Sequence, residues 1–555
     1  MLSNLLLLAT VNAIALPAAD PEPKPVPGTV TSGAITAIVD ELEQLAKNIS
    51  IPNSKKLFGG LFPNIADLAV NFVRHQVVQL PYGQIRGTVE PQFSSYLNIP
   101  YAQPPVGALR FKPPQPPLNF TGIYNATSYG NACVQAQTGA TNLVTSEDCL
   151  NLNVYAPTVG EKLPVIVYIY GGSFNSGYNS NPLYNGKTIL THSNNVVVVT
   201  VNYRVGAFGF LAGNLLAQEG SLNVGLLDQK FAFEWVRKNI ALFGGDPTRV
   251  TAVGQSAGAI SLGAHLLAQG GTQTLFDRAV LLSGGPAWLY QTPASFDGVF
   301  TAFANAVGCS SGDILGCLRN VPAQTLFTAG QTINWFPIAD GSYVNEEALV
   351  TLLVDKKVSK VPLLMNDDLN EGTLFSFGQV TSAQQVIPYD MIFLPFLTAA
   401  QQQTVSALYN VSTYPLGPYQ AAGDFFGDLL FQCPEILLAS VYQSLGVETY
   451  RSSFTHQPLI PLYPSAAQLG VYHGAELPFV WQNTALLDST EIPLSNQVLN
   501  SILNFVNGLQ PNPNWATYGS GNRYNFVNNA MEPDSERQQK CGFFEQTVTS
   551  FLQGQ

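Results

Sequence analysis

A serine between two glycines is the side chain of this sequence best placed to act as a nucleophile. Ser256 lies at the centre of Gly254-Gln-Ser-Ala-Gly258, after the β-rich run VTAVG and before a small-residue stretch that predicts a helix. The spacing is that of a nucleophile elbow, a strand-to-helix turn too sharp for side chains two positions from the serine. Such a turn exposes the hydroxyl and points the N–H of Ala257 at the oxygen that becomes negative on attack. Glycine and serine also form ordinary turns, so the flanking strand and helix are what favour the chemical interpretation.

A nucleophilic serine requires a base and an acid, and chain order limits the candidates. The order serine, acid, histidine of α/β-hydrolases leaves His456 and His473 out of five histidines. His473 lies in a glycine-flanked loop that can reach over a sheet edge, whereas His456 ends a strand-like run, so we prefer His473. The acid should follow a strand, where Asp367, Asp368 and Glu371 occur together. Either carboxylate type can hold an imidazole, and the residues alone do not rank these three.

A glycine-rich stretch upstream can supply further N–H donors to the developing oxyanion. Gly171-Gly172-Ser173 follows the apolar run LPVIVYIY, and glycines let a backbone approach a substrate carbonyl closely. The alternative is a plain strand-end turn. Because the stretch precedes the serine elbow in the chain, we favour the role in oxyanion binding.

The elements that must position these residues alternate between strands and helices. Near-continuous apolar runs predict strands that are covered on both faces of a sheet. The strands are expected at 163–170, 194–202, 250–254, 279–283, 361–365 and 447–454. Helical patterns lie between them, so we predict an α/β fold, with one domain over residues 76–555.

The N-terminal part of the chain has a different composition. Residues 1–15 contain a short apolar run that ends in Ala13-Ile-Ala15, which is typical of a signal peptide. Residues 16–75 are Pro-rich and then helical, and could be a lid, a pro-segment or a surface appendage. We expect a secreted protein without an integral membrane segment. Sequons that permit glycosylation of an exported chain occur at Asn48, Asn119, Asn125 and Asn410.

The charge of the chain bears on its binding partners, and its cysteine content bears on the cellular compartment. Lys and Arg number 24 against 36 Asp and Glu, and no basic patch occurs, so nucleic acid is not an expected partner. Six cysteines suit disulfides in an oxidising compartment, and their spacing predicts no metal site. Cys133 with Cys149 and Cys309 with Cys317 could each close a short loop, and the pairing of the remaining Cys433 and Cys541 stays open.

Several longer motifs occur in one order after residue 80. They are NIPYAQPPVGALRF (98–111), EDCLNLNV (147–154), NYR (202–204), GLLDQ (225–229), FGGDP (243–247), NEGT (370–373) and HG (473–474). Together they resemble the type-B carboxylesterase/lipase family, which includes cholinesterases and fungal lipases of the Candida rugosa kind. The resemblance implies an α/β-hydrolase fold with a large central, mostly parallel sheet covered by helices.

The resemblance also implies roles for particular residues. Ser256 would be the nucleophile, Glu371 the acid and His473 the base. The other implied features are oxyanion donors at Gly172, Ser173 and Ala257, disulfides Cys133–Cys149 and Cys309–Cys317, and ion pairs Arg110–Glu147 and Arg204–Asp246. No metal or cofactor is needed for the implied chemistry.

Three departures from the family pattern bear on the substrate. The residue before the nucleophile is Gln255 instead of the usual glutamate, so a charge that favours cationic esters is missing. The third glycine of the oxyanion loop is Ser173, which would be strained if that position needs a positive φ. The loop between Cys133 and Cys149 holds only residues 134–148, whereas the corresponding lid of the lipases is much longer.

The predicted function is therefore that of a secreted serine carboxylic ester hydrolase. It would act through an acyl-enzyme on neutral, short- to medium-chain or aryl esters. The partner is a small-molecule ester, with a lipid interface as a further surface. The first alternative is a triacylglycerol lipase or sterol esterase, which the short loop disfavours. The second is a non-catalytic adhesion or binding homologue, which the presence of all three triad residues disfavours.

Overall fold

A computed structural model describes residues 77–553 with short gaps, which are 137–142, 273, 287–289, 345–351, 392–393, 395, 461, 463–464 and 520. The predictions for residues 1–75, namely the signal peptide, the extension and the sequon at Asn48, lie outside the described residues. The tip of the loop between Cys133 and Cys149 lies outside them as well.

The strands fall into one large sheet and two small ones. They are β1 (Val77–Leu80), β2 (Gly83–Arg86), β3 (Thr88–Val89), β4 (Phe93–Pro100), β5 (Ile123–Asn125), β6 (Ala132–Cys133), β7 (Thr145–Ser146), β8 (Asn151–Pro157), β9 (Leu163–Ile169), β10 (Val197–Val201), β11 (Gly245–Gln255), β12 (Arg278–Leu282), β13 (Leu363–Asp368), β14 (Thr449–Phe454), β15 (Asn522–Asn525) and β16 (Ala530–Pro533). The predicted strands coincide with β9 to β14 apart from a few residues at their ends.

The large sheet has the order β16-β15-β14-β13-β12-β11-β9-β10-β8-β4-β3. From β10 to β15 in that order, neighbouring strands pair parallel. The strands β8, β4, β3 and β16 join through antiparallel pairings at the two edges. The prediction of a large, mostly parallel sheet is confirmed.

Helices occupy most of the connections between the strands. They are α1 (Gly186–His192), α2 (Gly206–Phe210), α3 (Asn214–Glu219), α4 (Val224–Asn239), α5 (Ala257–Gly271), α6 (Pro293–Ala306), α7 (Ile314–Asn320), α8 (Ala323–Gly330), α9 (Thr373–Ser376), α10 (Val386–Asp390), α11 (Ala399–Leu408), α12 (Pro418–Gly427), α13 (Cys433–Ser444), α14 (Ala466–Leu469), α15 (Leu477–Val480), α16 (Ile492–Val506) and α17 (Ser535–Gln553). Helices α4 and α5 pack against β11, which buries the central strands.

One helical stretch of the described chain, Pro418–Ser444, is long and apolar enough to cross a membrane. Of its most apolar window, 89% is buried inside the protein. Core helices meet the same criteria of length and composition, and burial on this scale fits a core helix.

The six cysteines form three disulfides. Cys133–Cys149 and Cys309–Cys317 are the pairs that the family resemblance implies, and Cys433 pairs with Cys541. This third bond joins α13 to the C-terminal helix α17, two elements whose proximity no spacing in the sequence indicates.

Of the two implied ion pairs, one forms as expected and one has a different partner. Arg110 binds Glu147 through two hydrogen bonds of 2.7 Å. The prediction that Arg204 pairs with Asp246 is wrong, because Arg204 makes two 2.7 Å hydrogen bonds to Asp228. Both groups of that pair are buried, and a buried guanidinium needs a carboxylate at the same depth. Asp246 is not at that depth and accepts hydrogen bonds within its own turn.

Asp390, the last residue of α10, carries a carboxyl group that loses its contact with water on folding. The side chain is buried, and neither oxygen has a hydrogen-bond partner among the described residues. Burial raises the pKa of Asp390 to about 9. The folded protein therefore keeps a proton that the unfolded chain releases above about pH 4. Since the folded state binds more protons, this group makes folding less favourable as pH rises from about 4 to about 9.

We expect Asp390→Asn to raise the melting temperature relative to wild type, by a margin that grows with pH across this window. Asparagine keeps the shape of the side chain and stays neutral, which removes a cost of up to about 1.4 kcal/mol per pH unit. Melting curves of both proteins at about pH 5, 7 and 9 test the expectation. The exposed Asp355 provides the control Asp355→Asn for loss of a charge, and a margin that is independent of pH would contradict the prediction.

Candidate active site

Ser256 occupies a tight turn between β11 and α5. Its φ and ψ are 56° and −123°, a combination that residues other than glycine rarely adopt. A Cβ on Gly254 would lie 2.6 Å from the backbone of Gly258, and a Cβ on Gly258 would lie 2.0 Å from the carbonyl oxygen of Ile169. Close packing on both sides of the serine therefore requires both glycines, which is the geometry that the G-x-S-x-G spacing predicts.

The candidate residues follow three strands of the large sheet, β11, β13 and β14. Ser256 follows β11, Glu371 follows β13 after two residues, and His473 lies in the long connection after β14. Because β11, β12, β13 and β14 are consecutive parallel strands, their carboxyl ends share one edge of the sheet. Ligand sites of α/β sheets lie at this edge.

The candidate acid Glu371 and the candidate base His473 are in direct contact. Glu371 Oε2 lies 2.6 Å from His473 Nδ1, and Oε1 accepts a hydrogen bond of 2.7 Å from the N–H of Asp368. Glu371 is 1% exposed and His473 is 7% exposed. The carboxylate can accept at Nδ1 only if that nitrogen carries the proton, which leaves Nε2 free to act as a base.

The other two acid candidates have different contacts. Asp367 pairs with the buried Arg451. Asp368 accepts hydrogen bonds from the N–H groups of Gly474 and Ala475, at 2.8 and 3.1 Å. Asp368 therefore holds the loop that carries the histidine, while Glu371 contacts the imidazole itself.

The role of Asp368 as a tether is one that sequence reasoning missed. Burial, and then the neighbouring carboxylates of Glu476 and Glu371, raises the pKa of Asp368 well above its ordinary value. The pKa of Glu476 is also raised, mainly by burial. The sequence shows Asp368 three residues before Glu371, but the contact of Asp368 with the histidine loop spans more than 100 residues.

The histidines set aside as bases have structural contacts elsewhere. His456 Nε2 lies 2.7 Å from Glu491 Oε1. Among the described residues, no serine side chain makes a hydrogen bond to this histidine. His265 is buried between Tyr343 and Gln229, at 2.6 and 2.9 Å. Burial lowers the pKa of His265 to about 3, so this ring stays neutral in the folded protein.

The glycine-rich loop after β9 lies directly against the serine. A Cβ on Gly171 would be 2.7 Å from Ser256 Cβ, and Gly172 has a φ of 113°. Ser173 has a φ of 55°, so serine in place of glycine costs about 1–3 kcal/mol of local strain. Within the described chain, the N–H groups of Gly172, Ser173 and Ala257 donate to no protein acceptor. These three donors remain available to an oxyanion.

Gln255 contacts the nitrogen of His473 that a serine proton would reach. Its Nε2 lies 3.3 Å from His473 Nε2, and the side chain is 5% exposed. In the described part of the chain, the imidazole makes its hydrogen bonds to Gln255 and Glu371 and none to Ser256. The amide of Gln255 must therefore move away from Nε2 when the imidazole accepts a proton from Ser256. Such a rearrangement is common, because catalytic hydrogen bonds often shorten only once substrate is bound.

Replacing Gln255 by glutamate should move the acid limb of the pH–rate profile to higher pH by about 1 unit. A carboxylate beside Nε2 favours the protonated imidazole, which cannot accept a proton, so kcat/KM falls at acidic pH and changes little at alkaline pH. The measurement is kcat/KM on a dissolved ester between about pH 5 and 9. Gln255→Met removes the amide without adding charge and is the matched control. An equal shift in both variants, or no shift in Gln255→Glu, would refute the electrostatic explanation.

The sheet order, the strand–serine–helix turn and the carboxylate–histidine pair define an α/β-hydrolase. The carboxylesterase family matches residues 74–544, and the chain belongs to that family. The resemblance to type-B carboxylesterases and lipases is thereby confirmed. The protein is a carboxylic ester hydrolase.

Similar proteins come from bacteria, fungi and mammals. Para-nitrobenzyl esterase of Bacillus subtilis is 34% identical over 499 residues, covering 84% of this chain and 98% of that protein. Lipase 1 of Geotrichum candidum is 30% identical over 551 residues, covering 84% and 94%. Cholinesterase of Mus musculus is 34% identical over 451 residues, covering 73% of each. The crystal structure of Aspergillus niger EstA has a TM-score of 0.77 and 32% identity, covering 85% and 98%.

Proposed function

We propose that the protein is a secreted serine esterase that cleaves neutral esters with short to medium acyl chains or aryl alcohol groups. The observation that carries the proposal is the 2.6 Å contact between His473 Nδ1 and Glu371 Oε2, beside a serine elbow with unused N–H donors. This arrangement supplies a nucleophile, a base in the correct tautomer and an anion site, which together suffice for acyl transfer.

The reaction would proceed in two steps through an acyl-enzyme. Ser256 Oγ attacks the ester carbonyl while His473 Nε2 takes its proton, and Glu371 stabilises the resulting imidazolium. The N–H groups of the oxyanion loop and of Ala257 bind the negative oxygen of the tetrahedral intermediate. The imidazolium then protonates the departing alcohol. Water attacks the acyl-enzyme by the same relay, which releases the carboxylic acid and restores the serine.

The preference for neutral esters is supported by the surroundings of the base. Gln255 lies where the family usually has glutamate, and its neutral amide contacts the imidazole. A cationic alcohol group, such as choline, would find no carboxylate at this position. In a buried site a carboxylate attracts a cationic substrate strongly, because the local dielectric is low. The absence of a carboxylate at position 255 should therefore favour uncharged esters over cationic ones.

The preference for dissolved esters is supported by the loop that Cys133 and Cys149 close. These cysteines are 16 positions apart, which leaves little chain to cover an active site. Without a long lid, the enzyme should not need a lipid surface to open.

Secretion is supported by features of the described surface and core. All six cysteines form disulfides, and such bonds persist in oxidising compartments. The sequon asparagines Asn119, Asn125 and Asn410 are all exposed, so each could carry a glycan in an exported protein.

The proposal is tested with a series of p-nitrophenyl esters from acetate to palmitate, each measured below and above its solubility limit. We expect kcat/KM to be highest for short and medium chains, with no jump in rate when droplets form. Activity confined to long chains would refute the proposed preference. A dead enzyme on every ester would refute the esterase proposal as stated.

A lipase function is the second candidate, and the similarity to Lipase 1 of Geotrichum candidum favours it. A lipase would show a sharp rise in rate at the point where the ester forms an interface. The same chain-length series therefore separates the two functions without a new assay.

A further inference from the structure

The helical segment behind the candidate triad changes its winding next to His473. Residues Asp428–Gln432 form a π-helical turn between α12 and α13, and the N–H of Cys433 donates to the carbonyl of Asp428, five residues earlier. Turns of this kind insert one residue into a helix and are frequent at functional sites. The inserted residue alters which side chains the helix directs at the triad.

The side chain that this turn directs at the triad is Phe431. Its ring lies 4.4 Å from the imidazole of His473, centroid to centroid, with an angle of 23° between the planes. Phe375 contacts the same imidazole from 5.4 Å at 55°. Phe431 is thus stacked on the face of the imidazole, which leaves both ring nitrogens free for in-plane hydrogen bonds.

The π-helical turn is anchored at both ends by strong contacts. At its start, Asp428 accepts a hydrogen bond of 2.8 Å from Tyr409 and pairs with Arg537 of the C-terminal helix. Directly after its end, Cys433 is bonded to Cys541 of the same helix. These contacts hold the turn to α17 and restrict the movement of Phe431.

The same turn is held to the strand end that carries the acid. Gln432 donates a hydrogen bond of 3.0 Å to the carbonyl of Asp368. A Cβ on Gly427 would lie 2.9 Å from Glu371 Cβ, so α12 approaches the acid as closely as glycine permits. One rigid segment therefore fixes the distance between the aromatic ring and the Glu371–His473 pair.

We propose that Phe431 is a positioning residue for the reaction: its ring keeps the imidazole of His473 in the plane of Glu371 and stabilises the imidazolium through its π face. A cation over an aromatic ring is attracted by the negative charge of the ring face, most strongly where water is excluded. Phe431 is 3% exposed, so the contact is nearly dry. Two carboxyl groups also interact with this imidazole, Glu371 by direct contact and Glu476 from behind it. Asp368 lies beside them and accepts hydrogen bonds from the histidine loop. The inference rests on the proposed function, in which His473 is the base.

The test compares Phe431→Leu, which removes the ring, with Phe431→Tyr, which keeps it. The matched control is Phe425→Leu, because Phe425 is also buried on this helical segment but packs on Tyr409 and Phe544. We expect Phe431→Leu to lower kcat roughly 3- to 30-fold with little change in KM, since the ring acts on a charge that forms during reaction. Phe431→Tyr should retain most of kcat, and the control should retain it as well.

A second readout does not depend on any ester. An Nδ1–H proton shared with a carboxylate is expected to give a low-field NMR resonance that reports protonation of the imidazole. Loss of the π face in Phe431→Leu should move the midpoint of this response to lower pH than in the wild type. A shift in Phe431→Leu that is absent in the control supports the proposal even if no ester is cleaved. An unchanged titration, or an equal change in the control, overturns it even if the wild type is an active esterase. If Phe431→Leu does not fold, Phe431→Met removes the ring while nearly preserving the volume of the side chain. It is then compared with Phe431→Tyr and Phe425→Leu in the same two measurements.

Discussion

Replacing Ser256 by alanine is expected to lower kcat by roughly 10⁴- to 10⁶-fold on every ester that the wild type cleaves. In the proposed mechanism the acyl group becomes attached to Ser256 Oγ, so removal of this atom eliminates the covalent pathway. The N–H donors of Gly172, Ser173 and Ala257 remain in the variant, and they account for the residual rate. The measurement is steady-state hydrolysis of a p-nitrophenyl ester together with the burst of nitrophenol in the first turnover, which the variant should lack.

The control for this experiment is a serine on α5, the helix that follows Ser256. Ser261 is buried and donates a hydrogen bond of 2.7 Å to the carbonyl of Ala257, so Ser261→Ala removes a buried hydroxyl that lies outside the proposed chemistry. It should keep kcat within about 10-fold of wild type. Labelling with a fluorophosphonate should modify the wild type and the control but not Ser256→Ala. A burst in Ser256→Ala would assign the covalent step to another residue.

The parts of this site that could be predicted from sequence are those with local causes. Gly254 and Gly258 are required by contacts within a few residues of the serine and across to the adjoining strand end. Gly171 is required by the same kind of local crowding, since a Cβ at that position would lie 2.7 Å from Ser256 Cβ. Such constraints leave glycines at a fixed spacing from the serine, and that spacing can be recognised from the order of the amino acids alone.

The parts that could not be predicted depend on burial and on contacts between distant segments. Asp367 and Asp368 end β13, and Glu371 follows after two residues. The residue types alone do not decide that Asp367 meets Arg451 while Glu371, as the family resemblance implies, meets His473. The family resemblance pairs Arg204 with the wrong aspartate because a sequence does not give the depth of either group. In both cases the competing residues are chemically equivalent, so their position in three dimensions makes the distinction.

The π-helical turn is a further feature without a sequence signal. The stretch from 418 to 444 has the apolar composition of an ordinary core helix, and nothing in it marks the extra residue at 428–432. The turn is stabilised by partners more than 60 residues away, namely Asp368 through Gln432 and α17 through Asp428 and Cys433. The tertiary contacts, and not helix propensity, therefore decide that Phe431 faces the imidazole.

The Glu371–His473 contact leads to the second large expected effect, a loss of roughly 10⁴-fold in kcat for Glu371→Gln. Glutamate accepts one hydrogen bond at each oxygen, from His473 Nδ1–H and from the N–H of Asp368. An amide has one oxygen, so its NH₂ group must face one of these two donors. If it faces the histidine, the ring adopts the tautomer with the proton on Nε2, which cannot accept the serine proton. If the NH₂ group faces Asp368, it meets the backbone N–H of Asp368, and two donors then oppose each other. The segment after β13 that carries residue 371 would be displaced.

A second histidine–carboxylate pair in the protein provides the matched control for this variant. His456 lies 2.7 Å from Glu491, which is also buried, so Glu491→Gln makes the same chemical change outside the proposed site. Both variants lose a buried carboxylate, and both should lower the melting temperature, but only Glu371→Gln should remove activity and the low-field Nδ1–H resonance of His473. If Glu371→Gln retains more than about one tenth of the wild-type kcat, the tautomer of His473 is held by some other group, and the proposed acid must be reassigned.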